Sequence, residues 1–147
     1  MARFTFEERK LKQQKEYEAY IAECTKEYIN HYLNPDSFFI KGTSIENKIE
    51  SIMYDTDIDN KVIFDYIRNM DYKDFLDTPY WEGVTLFIKK RAGYKCEKCN
   101  NTGILDVHHK TYINHGQEHI KAIARKDLIL LCRECHQQEH DIENKEV

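Results

Sequence analysis

Two cysteine pairs, Cys96-x2-Cys99 and Cys132-x2-Cys135, bracket a stretch rich in histidine. Thiolates two residues apart grip one ion from a tight turn, and two such turns complete the tetrahedral shell of a structural zinc. The knuckles are separated by 32 residues, more than a simple zinc ribbon needs. The ion must therefore clamp the base of something larger. Between the knuckles stands Asp106-Val107-His108-His109, and directly after the last cysteine come His136 and His140. On a helix, an i, i+4 pair projects from one face and can share a metal. The chain thus carries a closed cysteine site, expected to hold Zn2+, and a separate histidine site with the character of an open, reactive centre.

These side chains need a frame. Ile104–His108 alternates and favours a strand, Leu128–Leu131 is a short apolar run suited to a second, and Arg133 to about Glu143 reads as a helix. The order is β-β-α. Adjacent residues of a flat strand point to opposite faces, so His108 and His109 must sit where the first strand ends and bends. Lys110-Thr111-Tyr112 then opens a loop containing Asn114, His115 and Gly116; His115 and His119 are read as loop residues. Ahead of the first knuckle, Pro79 permits a helix start. Trp81, Val84, Thr85, Phe87 and Ile88 are available for burial on it, and Lys89, Lys90 and Arg91 complement its C-terminal dipole. A module of some 60 residues has a small core, and a metal staple is the expected remedy.

Five stretches in order resemble the HNH endonucleases of the ββα-metal (His-Me finger) fold, in their zinc-stapled bacterial and phage form. They are Tyr72-Lys73-Asp74-Phe75-Leu76 through Pro79-Tyr80-Trp81; Arg91-Ala92-Gly93-Tyr94-Lys95-Cys96; Val107-His108-His109-Lys110-Thr111-Tyr112; Gly116-Gln117-Glu118; and Asp127-Leu128-Ile129-Leu130-Leu131-Cys132-Arg133-Glu134-Cys135-His136. The resemblance implies a metal-dependent DNA endonuclease. His109 would be the general base, while His108 and His136, with His140 as third ligand, would hold a divalent metal (Mg2+, Mn2+, Ni2+ or Zn2+). The central Asn of the family name is Asp127 here, a catalytic-site residue by that resemblance, which could ligate the metal or accept a hydrogen bond that fixes the loop, the second being favoured. Ala122-Ile123-Ala124-Arg125-Lys126 reads as an insert relative to the family spacing. Lys89, Lys90, Arg91, Lys110 and Arg133 are the candidates for contact with DNA phosphates. The competing readings are a non-catalytic zinc-stapled DNA-binding module and a zinc-stapled adaptor for protein.

The rest of the chain sets bounds. Its 147 residues carry a net charge of −4, 41% hydrophobic and 33% charged residues, the balance of a soluble folded protein. Trp81–Cys135 holds ten Lys and Arg against six Asp and Glu, a locally basic region that permits phosphate contact. The N-terminus lacks the apolar core of a signal peptide and no run reaches membrane-spanning length. A cytoplasmic, reducing setting suits unpaired cysteines, with Cys24 read as a small apolar core residue. The fold class expected is α+β: a helical N-terminal region, 1–70, followed by a zinc-stapled ββα module, 71–147. Thr5-Phe6-Glu7-Glu8 fits a capping box opening a helix to about Leu33, with Tyr17, Ile21, Cys24, Tyr28 and Tyr32 on one face. That face is a candidate for packing on its own domain, for a protein partner or for self-association. Ser37–Lys41 reads as a turn or edge strand. Helices follow over Ile45–Tyr54, with Ile45, Ile49, Ile52 and Met53 inward, and over Ile58–Met70, burying Val62, Ile63, Tyr66 and Ile67. No motif with readable chemistry lies in this half.

Overall fold

A computed structural model describes residues 3–36, 44–53 and 57–145. The turn or edge strand expected at Ser37–Lys41 lies outside these, as does Tyr54, the expected end of the second helix.

The first helix, α1 (Phe6–Tyr32), opens on the expected box: the Thr5 side chain accepts from the Glu8 N–H and the Glu8 carboxylate accepts from the Thr5 N–H. Its first half projects beyond the core. Tyr17 is 57% exposed, and among the described residues of α1 only Thr25 and Tyr28 are fully buried. The expected apolar face is therefore used over its last turns alone. α2 (Ile45–Ile52) is capped by Ser44, and α3 (Asn60–Arg68) by Asp59, whose carboxylate accepts from Lys61 and Val62 N–H groups. Ile45, Val62 and Tyr66 were expected inward but are 41–44% exposed. Both helices are short: α2 buries Ile49 and Ile52, leaving Ile45 in its first turn outside, and α3 buries Ile63 and Ile67, with Val62 and Tyr66 each one residue earlier. Positions one residue earlier are turned about 100° away.

A short α4 (Tyr72–Leu76) occupies the presumed junction and sends Phe75 into the core. α5 (Pro79–Arg91) begins with Pro at its first position behind the Thr78 cap and buries Tyr80, Trp81, Val84 and Ile88; Thr85 and Phe87 are half-buried. The hairpin follows: β1 (Leu105–His109) pairs antiparallel with β2 (Leu128–Cys132), from Leu105 opposite Cys132 to His109 opposite Leu128. The stretch that reads as an insert in the sequence lies within α6 (Lys121–Asp127), whose Ala124 is fully buried. α7 (Arg133–Lys145) packs across both strands. The chain is α+β as expected, helices first and then hairpin plus helix around four cysteines. One apolar cluster runs from Tyr28 and Ile52 through Tyr80 and Ile88 to Leu128 and Leu130, and a smaller one gathers Leu131 with the cysteines. Among the described residues no helix is long and apolar enough to cross a membrane.

α5 meets α2 at Gly83, where an added Cβ would stand 2.4 Å from Ile52 Cβ. Gly83→Ala gains up to about 1 kcal/mol of helix propensity, yet the backbone-rooted clash dominates. The variant should lose about 1–3 kcal/mol of stability, read as a lower urea midpoint. A midpoint at or above wild type would show that the two helices separate freely.

Candidate metal centres and catalytic cleft

The first knuckle forms where the chain leaves α5. The Cys96 N–H donates to the Asn101 carbonyl, the Asn100 N–H returns to the Cys96 carbonyl, and Asn100 takes the left-handed conformation (φ 63°) that closes the turn. The second knuckle spans the end of β2 and the first turn of α7, where the Cys135 N–H points at Cys132 Sγ, 3.5 Å away. The four Sγ atoms lie within 4.8 Å of one another, and Cys99 and Cys132 are 3.6 Å apart. Zn–S bonds of about 2.3 Å in a tetrahedron place sulfurs about 3.8 Å apart, so the set fits zinc. Burial opposes ionisation of Cys96, but backbone N–H groups at Cys132, Cys99 and Lys98 outweigh it and bring the thiol down to about 6. Glu97 ties this knuckle to β2: its N–H donates to the Leu130 carbonyl and its carboxylate accepts from the Leu130 N–H. Arg91 binds the same carboxylate and the carbonyls of Arg125 and Leu128. Lys98 and Glu139 pair across the knuckle and α7.

The histidines divide between two sides of the hairpin. His108, 4% exposed, faces α7, its ring 5.1 Å from His136 and 5.2 Å from His140. The nitrogens of these three rings converge within 4.8 Å, and the Nε2 atoms of His136 and His140 stand 3.0 Å apart. Metal–nitrogen bonds of about 2.0–2.1 Å bring neighbouring ligand atoms to about this separation, so the donors fit a divalent cation. Asp106 lies 3.5 Å from His136 Nδ1, on the side away from the cluster's Nε2 contact, and Glu143 lies 3.0 Å from His108 Nε2. A carboxylate on the nitrogen away from the cluster, as Asp106 is for His136, orients a metal-binding imidazole. Burial holds His108 below the usual imidazole range, against the pull of Glu143.

His109 faces the other way. Its ring is stacked between Trp81 (5.0 Å, 11°) and Tyr112 (4.8 Å, 21°). Its Nε2 meets Glu118 Oε2 at 3.1 Å. Glu118, 1% exposed, also accepts from His115 Nδ1 at 2.7 Å and from the Gly116 N–H. Burial raises this carboxyl's pKa, but hydrogen bonds from His109 and His115 overcome it and bring it down to about 2. The two histidines of β1 thus do not converge on a point. Both nevertheless border one cleft of about 800 Å³, with Trp81, Lys89, Tyr112, His136 and His140.

The loop between the strands is held from several sides. Asp127, 3% exposed, accepts from the Asn114 amide at 2.8 Å, the loop-fixing bond expected of it, and stands outside the metal-type clusters found among the described residues. Arg68 of α3 donates to the carbonyls of Tyr112, Ile113 and His115. Gly116 (φ 108°) passes so close to α3 that a Cβ would meet the Phe64 carbonyl at 3.0 Å. His119 is fully buried; the Tyr80 hydroxyl accepts from its N–H and donates to its Nδ1, and its Nε2 donates to Asn60. Among the phosphate candidates, Lys89 lines the cleft, and Lys110 and Arg133 are exposed. Lys90 pairs with Glu46, and Arg91 is engaged inside the fold as above. The sequence alone assigns no role to Glu118, Arg68, Asp106 or Glu143, although Asp106 and Glu118 lie inside motifs it does show. Glu118 was within reach, since it belongs to the Gly116-Gln117-Glu118 stretch. Compared with known proteins, the chain matches no protein-family model, no curated protein and no solved structure. The four-cysteine cluster and the histidine clusters beside the hairpin are consistent with an HNH-like module.

Two expectations follow. Purified protein should carry about one tightly held zinc, and Cys132→Ser should lose it together with the fold of the hairpin; metal analysis finding no zinc would remove the staple. His119 is held down to about 4 by burial, against the opposing charge of Glu118. Its folded value lies below the ordinary imidazole value of about 6.5, so the fold favours the neutral ring. The stability it contributes is present above about 6.5 and is lost as pH falls toward about 4. Roughly 2 kcal/mol should disappear by pH 5. His119→Gln should show a flatter dependence of urea midpoint on pH between 7 and 5; parallel curves would exclude this origin.

Proposed function

We propose that the protein is a metal-dependent DNA endonuclease of the ββα-metal type. The observation that carries this reading is that consecutive residues of β1 join a triple-imidazole cluster, through His108, to a fourth imidazole, His109, backed by a buried carboxylate, both bordering one cleft. A module that only binds DNA has no need of a positioned base beside a metal-type cluster.

On this reading His109 takes the proton of the attacking water. His108, His136 and His140 hold a divalent cation, which when bound supplies charge neutralisation at the phosphate and the leaving oxygen. Asp127, through Asn114, fixes the loop that follows His109. Lys89, Lys110 and Arg133 offer positive charge to the phosphates on either side of the scissile bond. The cysteine site is closed by four protein ligands, which favours a structural rather than a catalytic ion. The exposed Phe6, Leu11 and Tyr17 of α1 favour contact of that helix with another protein or a second copy.

Supercoiled plasmid with magnesium, manganese or nickel tests the proposal. Nicking or linearisation should require the added metal. Positioned acid–base groups contribute about 10²–10⁴-fold, so His109→Ala should lose at least about a hundredfold in rate while still binding DNA and metal. DNA binding without cleavage under every metal would favour the non-catalytic module. Loss of metal binding in His109→Ala would exchange the roles of His108 and His109.

A further inference from the structure

His109 has two ring nitrogens, and only one can serve as the base. An ionised carboxylate accepts hydrogen bonds and donates none. Glu118 Oε2 faces both His109 Nε2 and His115 Nδ1, while Oε1 is taken by the Gly116 N–H. All three partners must then be donors. The proton of neutral His109 is on Nε2, and the lone pair is on Nδ1. The ring cannot readily exchange these positions, because Trp81 and Tyr112 cover both its faces and rotation would break the Glu118 bond.

We infer, building on the endonuclease reading, that Glu118 is the positioning residue of the catalytic histidine: it fixes His109 as the Nε2–H tautomer, presents Nδ1 to the attacking water, and faces the imidazolium formed when that proton is taken. The anchor is buried and rigid. Glu118 is 1% exposed, and α3 holds its loop through Arg68 and the close passage of Gly116. The arrangement follows the division of labour in Ser–His–Asp triads, where an amide in place of the carboxylate imposes the wrong tautomer and costs about 10⁴-fold in kcat. In Glu118→Gln an amide NH2 facing His109 would donate to Nε2 and drive the ring proton to Nδ1.

The test has two arms. Long-range ¹⁵N–¹H spectra of wild-type protein at about pH 8, where ordinary imidazoles are neutral, should show His109 as the Nε2–H tautomer, and Glu118→Gln should move it toward Nδ1–H. In the plasmid assay Glu118→Gln should lower kcat by about 10²–10⁴-fold with KM for DNA within about twofold. The wild-type spectrum needs no variant to fold: Nδ1–H in wild type overturns the inference, as does unchanged kcat in a folded Glu118→Gln. A rise in KM alone would overturn it too, by making Glu118 a DNA-binding determinant. If the wild-type protein cuts no DNA with any metal, the endonuclease reading fails, while the spectra still decide whether Glu118 sets the His109 tautomer.

Discussion

A two-stranded hairpin has too little surface to hold its own shape in water. Here its open end is tied by four sulfurs, two from the turn after α5 and two from the junction of β2 and α7. The consequences spread outward from that knot. It fixes the angle at which α7 leaves β2, and so decides that His136 and His140 face His108. It anchors Glu97 alongside Leu130, and through Glu97 it holds Arg91, which reaches to α6 and β2. An ion held by these four cysteines would supply a cross-link where apolar contacts are few: the second apolar cluster buries little besides Leu131 and the cysteines.

What the sequence made legible is local chemistry with a fixed spacing. Knuckle cysteines, paired histidines, a capping box and a proline at a helix start each act within a few residues, and the structure carries all of them. Burial was less legible. Ile45, Val62, Tyr66 and Tyr17 are apolar, but each lies on a helix that touches the core along only a narrow row, and the width of that row depends on partners distant in sequence. α6 was hidden for a related reason. Ala122–Lys126 lacks a side-chain cap and a long apolar stripe, and only the packing of Ala124 against the core distinguishes a helix from a loop. Least legible was the support of His109. Glu118 stands nine residues away and Arg68 more than forty, joined to the loop only by the fold.

The N-terminal helices acquire a physical role from these contacts even though they carry no catalytic motif. Asn60, Phe64 and Arg68 lie along α3 and meet His119, Gly116 and the carbonyls of Tyr112, Ile113 and His115 respectively. Buried polar networks of this kind fix one arrangement of a loop because each alternative leaves a donor or acceptor unmet. The long hairpin connection, which on its own has many conformations, is thereby held against a helix formed elsewhere in the chain.

The stacking of Trp81 on His109 also makes the cleft observable. Trp81 is the chain's one tryptophan, and its indole lies nearly parallel to the imidazole at 5.0 Å. The tryptophan emission of the unmodified protein, as distinct from that of its ten tyrosines, therefore originates at one ring pair inside the cleft and reports on that stacking without any label.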